Sequence, residues 1–230
     1  MISVIIPTLN EAAMLPASLR ALHSQSVAHE VLVVDAASED DTVALARAAG
    51  ARVLESPQIQ RASQLNLGAQ QARGDVLLFL HADTVLPATG LERIAEALRH
   101  PRVVGGAFAR RFQSDSLVLR ATCLLAEWRG RWLGWNLGDQ AIFVRRSVFD
   151  ELKGFREIPL FEDLDFSRRL ARRGQVVTLR PPVQSSARRF AARGPLRTTC
   201  ADFWLTCRYL AGADPKRLAE LRSRGDLQGR

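Results

Sequence analysis

The sequence predicts an α/β fold with a mostly parallel sheet and helices on both faces. Four short apolar runs in the first hundred residues alternate with segments of helical periodicity, as in βαβ units. The run VLLFL at residues 76–80 is apolar throughout, which is typical of a strand buried on both faces. The predicted strands are ISVIIP, VLVVD, ARVLES and DVLLFLHAD; the predicted helices pass through Leu19 and Leu22, through Val43 and Leu45, and over 61–72 and 91–98.

The second half of the chain departs from this alternation. The segments VVGGAFARRF, QAIFVRR and QVVTLR predict strands, and residues 117–135 carry a helical stripe of apolar side chains that includes Trp128, Trp132 and Trp135. The segment EDLDFSRRLARRG predicts a helix, with acids in its first turn and arginines in its last, as the helix dipole favours. Two C-terminal helices follow, one through Trp204 and one capped by Asp214. We expect one domain over 1–230, with halves 1–100 and 101–190 and a helical tail 191–230.

Composition narrows the class of protein. The 230 residues suffice for a sizeable core, and three cysteines are too few for a disulfide framework, which predicts a reducing cytoplasm. Neither a signal-peptide pattern nor an apolar run of spanning length is visible. The net charge of +8 comes almost entirely from scattered arginines without a nucleic-acid-binding motif. We therefore expect no nucleic acid partner, and an anionic substrate or an anionic membrane surface fits the charge better.

Polar side chains follow the predicted strands at their carboxyl ends. Because parallel strands end at one edge of a sheet, these groups should lie together there, and their carboxylates would repel one another unless paired. A divalent cation relieves such repulsion, and oxygen ligands favour Mg²⁺ or Mn²⁺ bound together with phosphates. The sequence has no glycine-rich phosphate loop after its first strand, which argues against dinucleotide and P-loop folds. The groups are Thr8, Asn10 and Glu11, then Asp35, Ser38 and Asp40, then His81 and Asp83.

Five segments, taken in order, resemble one family. VIIPTLNE, VLVVDAASEDDT, RASQLNLGAQQARGDVLLFLHADT, GDQAIFVRRSVFDELKGF and FEDLDFSRRL are similar to successive blocks of family 2 inverting glycosyltransferases, which use nucleotide sugars. The resemblance covers residues 1 to about 173 and implies the GT-A fold, which is Rossmann-like. The tail resembles that of a subgroup of short bacterial members.

The resemblance implies a role for each matching position in the donor half, residues 1–100. Asp35 would contact the base, with Asp40 beside it. Asp83 would meet a divalent metal, Mn²⁺ or Mg²⁺, and the donor diphosphate. His81 stands where the family has the first aspartate of an Asp-x-Asp motif, and imidazole suits Mn²⁺ better than Mg²⁺. The remaining residues expected to hold the nucleotide are Pro7, Thr8, Asn10, Glu11, Arg61 and Asn66.

The resemblance also implies a catalytic and acceptor half, residues 101–190. Glu162 and Asp163 match a Glu-Asp motif, and Asp163 is the candidate base that takes the proton of the acceptor hydroxyl. Asp139 and Gln140 are candidates for the acceptor site. The family's processive motif Gln-x-x-Arg-Trp is replaced by SSARRF, which favours a non-processive enzyme with Arg188 or Arg189 facing the diphosphate. The implied partners are a UDP- or GDP-linked sugar and an unknown acceptor.

Several alternatives stay open at this point. A nucleotidyltransferase would need a Gly-rich basic turn after the first strand, which PTLNEAAM lacks. A non-catalytic nucleotide-binding module is the other alternative, and only His81 favours it. The tryptophan stripe is most simply core, and a lid over the acceptor or a face on the inner membrane surface are its alternatives. Cys200 and Cys207 share a helix face and are expected to pack inside. The oligomeric state is left open.

Overall fold

The computed structural model of the chain describes residues 1–227, and within them eight strands form one sheet. The strands are β1 (Ile2–Thr8), β2 (His29–Asp35), β3 (Arg52–Glu55), β4 (Val76–Phe79), β5 (Thr84–Val85), β6 (Val103–Phe112), β7 (Ile142–Arg145) and β8 (Gln175–Ser185). Their order in the sheet is β3-β2-β1-β4-β7-β6-β8-β5.

The helices of the described residues alternate with these strands in the first half and follow them at the C-terminal end. They are α1 (Leu15–His23), α2 (Thr42–Ala48), α3 (Arg61–Gln71), α4 (Gly90–Ala97), α5 (Leu117–Leu133), α6 (Arg146–Glu151), α7 (Glu162–Ala171), α8 (Arg188–Arg193), α9 (Pro195–Leu210) and α10 (Pro215–Leu227). A single 3-10 turn, Gly138–Gln140, precedes β7. The short elements β5, α6 and α8 were not predicted, and β8 is longer than the predicted QVVTLR.

The sheet is mostly parallel, as predicted. Strands β1, β2, β3 and β4 run parallel to one another, and β6 runs parallel to β8. Strand β7 runs antiparallel to both β4 and β6. This reversal has a consequence for the site, because it places the Gly138–Gln140 turn at the edge where β1, β2 and β4 end.

Alternate residues of the central strands pack on opposite faces of the sheet. Val4 and Ile6 of β1 belong to a core cluster that includes residues of α1 and α4. Ile5, between them, belongs to a second cluster that includes residues of α3 and α7. This period of two is what a strand covered on both faces requires, and it confirms the predicted helices on both sides of the sheet.

Helix α5 packs in the opposite sense to the one we expected. Its buried residues are Leu119, Ala126 and Gly130. Its large stripe points outward, with Trp128 58% exposed and Trp132 70% exposed, so the interpretation of this stripe as core is wrong. A Cβ added at Gly130 would lie only 2.5 Å from Asn136 Oδ1 and 3.0 Å from Thr178 Oγ1. The helix therefore approaches its neighbours through its small side chains.

The C-terminal helices share a small core of their own. Leu205 of α9 and Leu218 of α10 are buried with Leu160, which lies just before α7. Cys200 and Cys207 are exposed, so the expectation that they pack inside is also wrong. In the part of the chain that the structure describes, no helix is both long enough and apolar enough to span a bilayer. The division into halves and a tail stays a prediction.

Candidate active site at the carboxyl edge of the sheet

The first two strands end side by side at this edge. Pro7 and Thr8 are the last residues of β1, and Thr8 is aligned with Asp35, the last residue of β2. Thr8 Oγ1 donates to Asp35 Oδ1 at 2.8 Å, and Ser38 donates to the same carboxylate through its Oγ (2.6 Å to Oδ1) and its backbone N–H (2.8 Å to Oδ2). Asp35 is only 2% exposed. Its carboxylate thus holds the loop after β2, and its contact with a nucleotide base stays a prediction.

The loops after β1 and β2 hold each other. Asn10, with a positive φ of 55°, accepts a hydrogen bond from Glu39 N–H through its side-chain oxygen at 2.8 Å. Asp40 accepts the backbone N–H of Ala12 and that of Thr42, each at 3.0 Å, and also the Thr42 hydroxyl. The Thr42 hydroxyl is the main reason that the pKa of Asp40 is lowered. These contacts fix the two loops that the sequence assigns to the nucleotide.

Asp83 and Glu11 meet a cation from the other end of the chain. Arg188 Nη2 contacts Glu11 Oε1 at 2.6 Å, and its Nε lies 3.7 Å from Asp83 Oδ2. Burial raises the pKa of Asp83, and Arg188 opposes that shift. Of the two arginines left open by the sequence, the structure therefore brings Arg188 to this edge. Arg189 instead pairs with Asp202 of α9 and does not belong to the site.

His81 lies against the turn that precedes β7. A Cβ added at Gly138 would be 2.5 Å from His81 Nε2 and 3.3 Å from Asp163 Oδ2. The imidazole and the carboxylate thus border the same point. Burial, helped by the charge of Arg61, lowers the pKa of His81 to about 3, so the imidazole is neutral at physiological pH. Gly138 was missed by the sequence reasoning, although it opens the segment GDQAIFVRR on which the resemblance rests.

The acidic pair Glu162–Asp163 opens helix α7 after Phe161, which has a left-handed φ of 68°. Asp163 Oδ2 accepts the backbone N–H of Gly138 at 2.6 Å, and its Oδ1 accepts that of Leu164 at 2.6 Å. Burial raises the pKa of Asp163. Burial and the neighbouring Asp163 charge raise the pKa of Glu162 to about 7. A carboxyl group with a raised pKa is a stronger base, so this pair is suited to accepting a proton.

Two residues of α3 reach toward this pair, and they differ in what they do. Arg61 is exposed and its Nη1 lies 3.8 Å from Glu162 Oε1. Asn66 exchanges two hydrogen bonds with the backbone of Phe155, at 2.8 and 2.9 Å. Both polar groups of the Asn66 side chain are therefore used inside the protein. Asn66 thus holds the loop before α7, and its expected contact with the nucleotide stays a prediction.

Asp139 and Gln140, in the turn before β7, also differ from each other in their contacts. Asp139 pairs with Arg110 of β6, while its Oδ1 is buried without a partner in the described structure. Gln140 is fully buried; its Oε1 accepts from Arg129 and from Leu137 N–H, each at 3.1 Å, and its Nε2 donates to Phe108 O at 3.2 Å. Gln140 therefore positions the turn, and its expected contact with the acceptor stays a prediction. Arg110 was missed, because it is one of many arginines.

A divalent cation fits the oxygen donors at this edge. No group of three or more His, Cys, Asp and Glu side chains among the described residues is arranged to hold a metal ion. Mg²⁺ and related ions, however, are often held by one or two carboxylates together with substrate phosphates and water. Asp83 supplies such a carboxylate, and Glu11 Oε2 is buried without a partner in the described part of the chain. Since the Nε2 of His81 faces Gly138, the fit rests on oxygen atoms.

The mixed sheet and its edge define a class of α/β protein, and solved structures share it. A mannosyltransferase from Pyrobaculum calidifontis, solved with GDP-Man and Mn²⁺, has a TM-score of 0.66 at 22% identity, covering 80% of this chain and 56% of that one. Residues 1–349 of TarS from S. aureus give a TM-score of 0.68 at 17% identity, covering 83% of this chain and 62% of that one. At these identities the likeness shows the fold alone, which is the expected GT-A fold.

The chain belongs to glycosyl transferase family 2, whose sequence profile matches residues 3–194. It is 31% identical over 197 residues to a PGL/p-HBAD biosynthesis glycosyltransferase of Mycobacterium bovis, covering 77% of this chain and 72% of the relative. It is 27% identical over 203 residues to an undecaprenyl-phosphate 4-deoxy-4-formamido-L-arabinose transferase of Sodalis glossinidius, covering 82% of this chain and 61% of the relative. The protein is therefore an enzyme of the glycosyltransferase kind, as the resemblance implied.

Proposed function

We propose that this enzyme transfers a sugar from a UDP- or GDP-linked donor to an acceptor hydroxyl, with inversion and assisted by a divalent metal. The observation that carries the proposal is the position of Asp163. Its half-buried carboxylate is held by Gly138 N–H at the edge of the sheet where Asp83, Glu11 and Arg188 meet. Solved relatives of the same fold have been captured with GDP-Man and Mn²⁺ and with UDP-GlcNAc, which supports such a donor.

The loops after β1 and β2 would hold the nucleotide. Their mutual hydrogen bonds pre-organise Thr8, Asn10 and Asp40, so little loop ordering has to be paid for on binding. Asp35, the last residue of β2, would orient the base. Pro7, at the end of β1, would line the same pocket.

Asp83 would hold the divalent metal, and Arg188 and Arg61 would face the diphosphate. The metal would supply charge stabilisation for the leaving diphosphate. Arg188 already contacts Glu11 and Asp83. When a phosphate enters between these groups, Arg188 would exchange a carboxylate partner for a phosphate partner. Neutral His81 would border the metal position without adding charge.

Asp163 would accept the proton of the attacking acceptor hydroxyl. The N–H groups of Gly138 and Leu164 hold its two oxygens at 2.6 Å, which fixes the carboxylate for one direction of attack. Glu162, with its pKa of about 7, would buffer the charge beside it. Asp139 would approach the acceptor through its unpartnered oxygen. The enzyme would add one sugar in each encounter, as SSARRF suggests.

The first test is calorimetric titration of UDP and of GDP into the purified protein, each with and without Mn²⁺. We expect binding of one diphosphate that strengthens with Mn²⁺, and loss of this Mn²⁺ dependence in Asp83→Asn. The matched control is Asp150→Asn, an exposed acid on α6, which should bind like the parent. If neither diphosphate binds to the folded protein, the proposed donor site is wrong, and the alternative of a module that binds another ligand replaces it.

A further inference from the structure

A cleft of about 440 Å³ lies between the end of β6 and helix α5. We call it the arginine cleft, because Arg110, Arg111, Arg120 and Arg180 line it, together with Phe112 and Leu124. Two acids, Asp115 and Glu127, line it as well. None of these residues was assigned to the donor or to the proton transfer in the proposed function.

Arg110 carries an unused donor in this cleft. Its side chain is only 10% exposed, and its guanidinium lies 4.8 Å from the centre of the Phe112 ring. One end of the guanidinium pairs with Asp139, but Nε is buried without a hydrogen-bond partner in the described structure. Buried polar groups are nearly always hydrogen-bonded, so this guanidinium keeps a donor that its described neighbours do not use.

The charges of the cleft leave positive charge available to a ligand. Arg180 is used, because it binds Glu127 through two hydrogen bonds of 2.7 and 2.8 Å. Arg111 and Arg120 are exposed, and neither makes an ion pair with any of residues 1–223, whose side chains the structure describes. The planar fork of an arginine matches the oxygens of a phosphate, so Arg111 and Arg120, which line the same cleft, favour an anion of this kind.

The cleft continues onto an apolar surface. We call the part of this surface on α5 the α5 stripe. Its residues recur along one side of the helix, opposite to the buried side. Leu124 belongs both to the stripe and to the cleft. Helix α9 packs against α5 and exposes its own Leu196 (64%) and Phe203 (70%). The α5 stripe consists of Leu117, Leu124, Leu125, Trp128 and Trp132, all more than half exposed.

We propose that the arginine cleft binds the phosphate headgroup of an amphipathic acceptor whose apolar chains lie in a bilayer along the α5 stripe. This inference rests on the proposed function, and it names the class of acceptor. Large apolar and tryptophan side chains flanked by Arg120 and Arg131 are the composition of surfaces that lie on anionic membranes, and the net charge of +8 acts in the same direction. Arg110 lines the cleft and pairs with Asp139, which lies in the same turn as Gly138, so the cleft adjoins the edge that holds Asp163.

The test is binding to phosphatidylcholine vesicles with and without phosphatidic acid, measured by co-sedimentation and by tryptophan fluorescence. All four tryptophans lie on α5, directly after it, or on α9, so insertion of this face should shift the emission to shorter wavelength. We expect both signals only with phosphatidic acid. In Arg111→Ala/Arg120→Ala the binding should fall by roughly tenfold or more, since each cation near an anionic surface contributes about fivefold.

The matched control is Arg47→Ala/Arg99→Ala, which removes the same charge from two exposed arginines of α2 and the end of α4. It should bind vesicles like the parent. Equal binding to neutral vesicles, or equal losses in both double variants, would overturn the proposal. Binding of glycerol phosphate in calorimetry without any binding to vesicles would also overturn it, because the cleft would then bind a soluble phosphate.

The alternative occupant of the α5 stripe is a second copy of the chain. Light scattering that shows a dimer with shielded tryptophans, and no vesicle binding, would replace the lipid by that partner. Nucleotide binding by calorimetry separates this inference from the proposed function. Retained nucleotide binding without vesicle binding would overturn the acceptor class alone, whereas vesicle binding without any nucleotide binding would overturn the donor site.

Discussion

The two sides of this molecule use their polar and apolar residues in opposite ways. At the carboxyl edge of β1 and β2, Thr8, Asp35 and Ser38 satisfy one another and the strands behind them are buried. On α5 and α9, large apolar side chains such as Trp132 and Phe203 are exposed. The loops of the first side satisfy one another, with Glu11 Oε2 and Asp139 Oδ1 left unpartnered in the described structure, whereas the second side presents a large exposed apolar surface. Under the proposed function, donor and acceptor would be recognised by different physical means.

The largest effect is expected at the catalytic edge. Asp163→Asn keeps the shape but removes the proposed base, and its single amide oxygen can accept from Gly138 N–H or from Leu164 N–H but not from both. We expect transfer to fall by about 10²–10⁴-fold, the usual contribution of general base catalysis, with nucleotide affinity nearly unchanged. The rate of nucleotide release in the presence of acceptor measures transfer, and calorimetry measures nucleotide affinity. Substantial residual transfer would exclude Asp163 as the base, and Asp150→Asn serves again as the control.

A second change tests how closely the edge is packed. Gly138→Ala places a methyl group 2.5 Å from His81 Nε2, so the imidazole or the turn that holds Asp163 must shift. A shift on this scale should lower transfer by roughly a hundredfold, while nucleotide binding changes less. The variant Gly138→Ala/His81→Ala should recover part of the loss in transfer. A double variant no better than Gly138→Ala would mean that the contact with His81 is not the cause.

The pH dependence of stability should distinguish the buried pair at α7. The pKa of Glu162 rises from 4.5 to about 7 on folding, because burial and Asp163 disfavour its charge. Its contribution to stability is therefore fully present below pH 4.5 and is lost as the pH rises through 7. Across this window the parent should lose about 3 kcal/mol of unfolding free energy relative to Glu162→Gln.

Urea denaturation of both proteins at several pH values measures that difference. His81 acts in the opposite direction: its pKa falls to about 3, so its contribution is present above 6.5 and is lost as the pH falls. Because both proteins carry His81, its effect cancels in the comparison. Parallel stability curves for the parent and Glu162→Gln would show that Glu162 does not titrate as expected.

The smallest effect is expected on the other side of the molecule. Trp132→Ala should change the unfolding free energy by less than about 0.5 kcal/mol, because the indole is 70% exposed. Phe166→Ala, in the core between α7 and the sheet, should cost about 3–5 kcal/mol. Thermal or urea unfolding measures both. A large loss in Trp132→Ala would show that the α5 stripe is covered within the molecule.

The sequence predicted the sheet because a parallel strand that is covered on both faces needs apolar side chains on both of them. Runs such as ISVIIP and VLLFL place apolar groups on both faces and polar groups where the strand ends. The site at that edge followed from the resemblance, which identified Asp163, Asp83 and Glu11 by position. Glu11 and Asp83 follow strands and Asp163 lies in the first turn of a helix, so the local sequence largely determines where these residues lie.

Tertiary structure alone decided which way the amphipathic elements face. A helical stripe shows that one side of α5 is apolar, yet the side with Ala126 and Gly130 packs more closely against Asn136 and Thr178, so the tryptophans turn outward. Likewise, the sequence left Arg188 and Arg189 equivalent, and only the direction of α8 brings Arg188 to Glu11. Periodicity determines which residues share a face, but the direction of that face depends on contacts between segments far apart in the chain.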